Sequence, residues 1–410
     1  MKKKNPFSIY SGLPGNIYIL FVSRVVNFMG SFIMPLMALI LTRKIGLSKS
    51  DAGLLSTIAM LTQAPFLFLG GRLVDKIGSK KVIVIFNFLG AFVYFACGFL
   101  KPSLSTAALI IAAMDLYVMA APAFNVIVAD IAPSSMIQRS YSLMYLGLNL
   151  GMAVGPMLGG LLFNSHLNLL FFLDALTTLL ATALVLFFVK DKKGTPEPSA
   201  PAKGEGAEPV RQQSLFEFFK SNAVLPLFAV VMLIYNLCYI QFSFLLPLQT
   251  ADIFQSYGVE FFSLLLSMNS VVVIIFTPLL TSGTQAMHPL KVIFAGGLLY
   301  CVSFALFAVN RFTPVFVVAV FILTIGEIMI SININTFIAQ RTPEAYMGRV
   351  NSILTIATGT GTAVGPVITG SLLIYLNYRR TWLLVSALML CGALAMYRLL
   401  RHLRRAESQG

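Results

Sequence analysis

Charge is scarce in this chain. Charged residues make up 11% of its 410 positions and hydrophobic ones 58%, where a soluble domain carries about 25% charged residues. So much apolar surface cannot be hidden inside a globule and must face lipid. Histidine and cysteine are also rare. The three histidines, His166, His288 and His402, form no cluster, and the four cysteines, Cys97, Cys238, Cys301 and Cys391, form no CxxC pair. A metal site, a disulfide framework and a His–Cys or Asp–His catalytic centre are therefore not expected, and the cysteines read as small apolar fillers. No nucleotide-binding loop is present either, so the reading includes no catalytic residue, no cofactor and no metal. Alternating segments of about ten residues, the mark of a membrane β-barrel, are missing too.

What is present is a series of long apolar runs. A transmembrane helix needs about 20 such residues. Twelve runs qualify, at 16–42, 50–71, 81–100, 104–130, 139–163, 167–189, 223–249, 258–281, 290–309, 313–340, 349–376 and 379–399. Helices are expected because backbone polar groups in lipid must be satisfied within the segment. The opening MKKKNPFSIYSGLPGN has the basic start of a signal peptide. The apolar stretch after it is too long and lacks a small-residue cleavage site, so it is predicted to be an uncleaved first span.

The net charge of +14 invites a nucleic-acid reading, but its distribution excludes one. If both termini lie inside, the inner segments hold 21 Lys/Arg and the outer loops seven, and Arg24 lies in a span. That bias is the positive-inside rule. It predicts cytoplasmic termini in a multi-pass protein of the cell membrane, with no nucleic acid as partner.

One stretch interrupts the pattern, DKKGTPEPSAPAKGEGAEPVRQQS at 191–214. Its Pro, Gly, Ala and Glu content reads as a flexible linker, and the following SLFEFFKS as a short interfacial helix. The expected organisation is an N-terminal six-helix half (1–190), a cytoplasmic linker (191–222) and a C-terminal six-helix half (223–410). The halves repeat at a shift of 210 residues, which pairs Arg139 with Arg349, Ser142 with Ser352 and Gly151 with Gly361. The same shift pairs the Ala-Val-Gly-Pro blocks at 153–156 and 363–366, Gly160 with Gly370, and Pro133 with Pro343. An internal repeat in a twelve-span protein marks a secondary transporter, with its substrate near the midplane between the halves.

Two motifs sharpen this. Residues 71–81 read GRLVDKIGSKK, with Gly71, Asp75, Lys76, Gly78 and Lys80 at the junction of spans 2 and 3. Residues 151–160 read GMAVGPMLGG, with Gly151, Gly155, Pro156, Gly159 and Gly160 in span 5. The first resembles the loop 2–3 signature of the major facilitator superfamily, and the second resembles the antiporter signature of its drug:proton exporters. The resemblance implies an all-α fold of two pseudo-symmetric six-helix halves, a gating role for Asp75 between the halves, and exchange of substrate for protons. Small residues also let helices approach closely. The chain departs from the family at span 4, where the Arg of the usual proton relay is replaced by Asp115 as the charged residue, and at loop 8–9, where the copy of the first motif is degenerate.

The remaining signal is polarity inside the membrane. Glu327 lies in VFVVAVFILTIGEIMISININTFIA with no positive residue near it. An unpaired carboxylate there is costly, so such groups are protonated, paired or functional. Glu327, Ser331 and Asn335 share a helical face, and Asp115 occupies nearly the equivalent level of the repeat partner. Glu327 is expected to carry a proton and Asp115 to lie in the pathway. Arg24, Asn27 and Ser31 share a face of span 1, and Asp115 is the expected partner of Arg24. Gln63, Asn125, Tyr145, Asn236, Gln241 and Asn269 complete the candidate cavity, with methionines and phenylalanines as adaptable apolar lining. The expectation is a monomeric, proton-coupled exporter of amphipathic or cationic small molecules. The rivals are a nutrient-importing proton symporter and a non-transporting sensor of the same fold.

Overall fold

Each apolar run folds as a helix whose ends are set by local chemistry. The computed structural model describes residues 10–189, 222, 224–309 and 312–409. The predicted linker, except Asn222, and the predicted interfacial helix lie outside the described residues. Twelve helices are long and apolar enough to cross a membrane: α1 Gly15–Lys44, α2 Lys49–Ile77, α3 Ser79–Cys97, α4 Leu104–Ile131, α5 Ile137–Phe163, α6 Leu167–Phe188, α7 Val224–Phe254, α8 Gly258–Thr284, α9 Pro289–Ala308, α10 Thr313–Arg341, α11 Val350–Tyr375 and α12 Tyr378–Arg405. They match the predicted spans, and α2, α7 and α12 run five or six residues longer at their C-terminal ends. Ser48 starts α2 by accepting from the Asp51 backbone N–H at 3.1 Å, and Ser103 starts α4 in the same way through Thr106. Both are side-chain N-caps. Gly78 separates α2 from α3 at φ 87°, a conformation that favours glycine.

The 210-residue repeat is visible in three dimensions. Pro133 and Pro343 take the same extended conformation ahead of the fifth and eleventh helices, at φ −56°, ψ 146° and φ −57°, ψ 147°. The first helix of each half is broken at the same level. In α1 the helical stretches Gly15–Met29 and Ile33–Leu39 flank a kink, and in α7 Val224–Tyr239 is followed at Ile240 by Gln241–Phe254. Broken helices in corresponding positions of two halves mark the substrate region of a transporter. Asp174 of α6 holds the α1 break. Its buried carboxyl accepts from the Phe32 N–H at 3.3 Å, a donor that the break leaves without a helical partner.

The glycines of the fifth and eleventh helices explain how the halves are built and how they meet. A Cβ on Gly155 would lie 2.8 Å from the Met29 carbonyl, and one on Gly151 would lie 2.7 Å from that of Val25. On α11, Gly361 and Gly365 press on α7 at the Leu233 and Leu237 carbonyls. One turn further on, Gly160 faces Ser263 and Glu260 of α8, and Gly370 faces Lys49 of α2. Each glycine helix thus packs inside its own half and then across to the other. The predicted antiporter motif is a close-packing surface in this structure.

Contacts between the halves gather at the end away from the termini, here called the distal end. Thr57 donates to the Ala363 carbonyl at 2.7 Å, Gly53 abuts the Pro366 carbonyl, and Asn164 donates to Glu260 at 2.8 Å.

Candidate functional site

Under the distal seal lies a central cavity of about 480 Å³, lined from both halves. Met34, Met37, Met60, Met114 and Met152 supply much of its wall, and Gln63, Asn236, Ser243, Thr355, Thr358 and Thr362 its polar groups. Unbranched methionine side chains adapt to varied apolar shapes. The expected apolar lining is therefore present, carried by methionine more than phenylalanine.

Glu327 sits beside this cavity. Gly326 and Gly296 bring α10 hard against α9, each blocking a Cβ on the other with its carbonyl at 2.8 Å. That contact turns Glu327 towards α7 and α8. There its Oε2 accepts from Asn269 Nδ2 at 2.9 Å, and the same amide lies 2.9 Å from Thr324 Oγ1. Tyr239, at the α7 break, lies beside the carboxyl, and its ring stacks on Tyr300 of α9 at 5.5 Å. Tyr145 reaches the carboxyl electrostatically from the opposite half. Among the described residues Glu327 has no ion pair. Asn269 and Tyr145 were predicted as cavity residues and line neither cavity, lying by the carboxyl instead, whereas Tyr239 and Tyr300 were not predicted. Asn236 lines the cavity three residues before Tyr239, on the same helical face, and so connects the carboxyl's surroundings to the cavity.

Asp115 is buried in α4 and accepts from Thr62 at 3.1 Å. The expected Arg24–Asp115 ion pair is not formed. Arg24 instead lies over the rings of Phe28 and Phe124, at 4.8 and 5.4 Å from their centroids. The helical faces explain this, since Arg24 opens into a side cavity inside the N-terminal half with Asn27, Ser31 and Gln63. Gln241 is buried between α7 and α11, donating to the Leu237 carbonyl and accepting from Thr369. Its role here is helix packing. Asn125, Ser331 and Asn335 are exposed and line neither cavity. Asp75 is exposed and has no ion pair among the described residues, while Lys80 donates to the Val189 carbonyl at the end of α6 at 2.7 Å.

The largest omission of the sequence reading is Asp252, at the distal end of α7. Its carboxylate takes Arg43, Lys49 at 2.6 Å and Tyr378 at 2.8 Å. The first two belong to the other half, so this cluster ties the halves together. A signal was available, because the 210 shift sets Asp252 against Thr42, next to Arg43. The repeat-equivalent helix ends thus carry opposite charges.

Two halves of six helices, broken first helices and a midplane cavity define a membrane transporter. A family model described as Major Facilitator Superfamily matches residues 20–357 and 232–410, and the chain belongs to that family. It is 26% identical over 364 residues to the quinolone resistance protein NorA of Staphylococcus aureus, covering 87% of this chain and 89% of that one. It is 24% identical over 366 residues to a Na(+), Li(+), K(+)/H(+) antiporter of Planococcus maritimus, covering 82% and 84%. Among solved structures, the peptide transporter POT in complex with sulfate superposes with a TM-score of 0.76 at 16% identity, over 96% and 95% of the two chains. The nucleoside transporter NupG superposes with 0.74 at 15% identity, over 94% and 99%. At these identities the structures share the fold with this chain.

Proposed function

We propose that this transporter exchanges amphipathic small molecules for protons by alternating access, with Glu327 as the proton carrier. The observation that carries the reading is the setting of Glu327. It is a mid-span carboxyl with no ion pair among the described residues, hydrogen-bonded by Asn269, with Tyr239 beside it and Tyr145 approaching from the other half, near an adaptable cavity. A carboxyl at such a seam can be hydrogen-bonded in one state and meet water in another. The name of one relative supports antiport with an alkali cation, and that of the other, a quinolone resistance protein, favours an organic species. The methionine-lined cavity favours the organic reading. We place both termini in the cytoplasm of a bacterial cell membrane, on the charge bias of the loops, and treat the working unit as a monomer in the bilayer. In that orientation the described state is closed to the outside.

Proteoliposomes holding an imposed pH gradient test this. Lipophilic cations, organic anions, sugars, nucleosides and then NaCl or KCl are added to wild type and to Glu327→Gln. Collapse of the gradient by an amphipathic compound, lost in the variant, is the expected result. Undiminished pH-driven exchange in Glu327→Gln overturns the carrier role, and a response to salt alone moves the reading to alkali-cation exchange.

A further inference from the structure

The side cavity of about 240 Å³ within the N-terminal half holds a cation, Arg24, that no carboxylate among the described residues pairs with. The Arg24 Nε is buried without a hydrogen-bond partner. Among the described residues the guanidinium makes no ion pair, since both ion pairs are at Asp252. Withdrawing a guanidinium from water is costly unless an anion meets it, and contacts with the faces of Phe28 and Phe124 offset only part of that cost. The two buried carboxyls of the same half have other donors. Asp115 accepts from Thr62. Asp174 also lines the cavity, but it accepts from Phe32 at the α1 break. That break is eight residues beyond Arg24, about 12 Å along a helix. A second donor points the same way. The Tyr117 hydroxyl is buried in this cavity without a well-formed hydrogen bond, although Thr178 lies beside it.

This cavity adjoins the central one across Met34, Gln63 and Met114, which line both. An acidic group by Arg24 would then lie next to the methionine wall, which suits an apolar body. We infer that Arg24 and Tyr117 form an anion subsite, and that the substrate is an organic anion: a carboxylate, sulfonate or phosphate monoester on an apolar, aromatic-sized body. The inference rests on the transport reading above and narrows its substrate class. Guanidinium pairs with such groups through parallel N–H bonds, a geometry that lysine cannot reproduce.

The test is ligand-dependent thermal unfolding of the purified full-length protein. The probes are naphthoate, naphthalenesulfonate, the matched neutral naphthamide, and inorganic phosphate. Both naphthalene anions are expected to raise the wild-type midpoint saturably, with naphthamide and phosphate much weaker. Arg24→Ala should lose about tenfold or more in apparent affinity for the anions. Asn27→Asp keeps Arg24 and sets a carboxylate one turn away on the same face, so it should fold normally and lose the preference as well. Arg24→Lys should retain part of it. Equal stabilisation by naphthoate and naphthamide, no stabilisation by either anion, or a preference that survives in both Arg24→Ala and Asn27→Asp overturns the proposal. Phosphate acting as strongly as the naphthalene anions overturns the apolar-body half. Glu327→Gln should keep the anion preference, so loss of proton coupling and loss of the subsite are read separately.

Discussion

Replacing Asp252 with alanine should loosen the distal seal. In the wild type its carboxylate gathers Arg43 and Lys49 from one half and Tyr378 from its own. The group is partly open to solvent, with side-chain exposures of 33% for Asp252, 44% for Arg43 and 37% for Lys49, so each ion pair must be discounted for screening. An exposed pair contributes about 0.2–1 kcal/mol. The tyrosine bond lies within one half and is kept on opening, so the two pairs across the seam favour closure by about 0.4–2 kcal/mol. Their loss also leaves two cations side by side. A change of about 1.4 kcal/mol shifts a two-state ratio tenfold, so the distally open fraction should rise by about two- to thirtyfold. The assay uses a single cysteine at Ser56, which lines the central cavity near the seal, with the four native cysteines replaced. Labelling by a membrane-impermeant maleimide added from the distal side reports opening. Asp252→Ala should label about two- to thirtyfold faster than its parent, a factor set by that free-energy change. High salt should speed the parent more than the variant, because it screens what the variant has already lost. Arg43→Ala with Lys49→Ala should mimic the variant and add little to it. Unchanged labelling in Asp252→Ala, or equal salt responses, would refute the assignment.

Two further outcomes follow from packing. Gly155→Ala should destabilise the N-terminal half by about 1–3 kcal/mol through overpacking, because its Cβ meets backbone carbonyls of Phe28 and Met29. Gly71→Ala, whose Cβ meets nothing, should leave the unfolding midpoint unchanged or higher, and equal losses at the two sites would contradict the packing account. Asp174→Leu should cost about 1–3 kcal/mol through the lost carboxyl hydrogen bond at the α1 break, where the Phe32 N–H keeps only its short-range bond to the Gly30 carbonyl. Asp174→Asn keeps an acceptor and should remain close to wild type. Denaturation of both variants in detergent decides the point.

The sequence by itself determined the membrane class, the twelve spans, the repeat and the family resemblance. These were legible because lipid leaves a long apolar helix as the simple local solution, and because a constant shift that carries Arg, Gly and Pro together survives in the one-dimensional string. Glu327 and Asn269 were legible as polar residues stranded in apolar runs. Only the tertiary structure decided what meets them. Tyr239 reaches Glu327 from a helix far away in sequence, with Tyr300 of the preceding helix stacked on it, and Asp252 meets two cations about 200 positions earlier in the chain. The expected Arg24–Asp115 pair failed for the same reason. Whether two charges can touch depends on the rotation of each helix about its axis. That rotation is fixed by contacts such as Gly155 on α1 and Gly326 on Gly296, where carbonyl oxygens leave no room for a Cβ. A hydropathy pattern says that a helix crosses the membrane, and the close packing of its neighbours decides which side chains it turns inward.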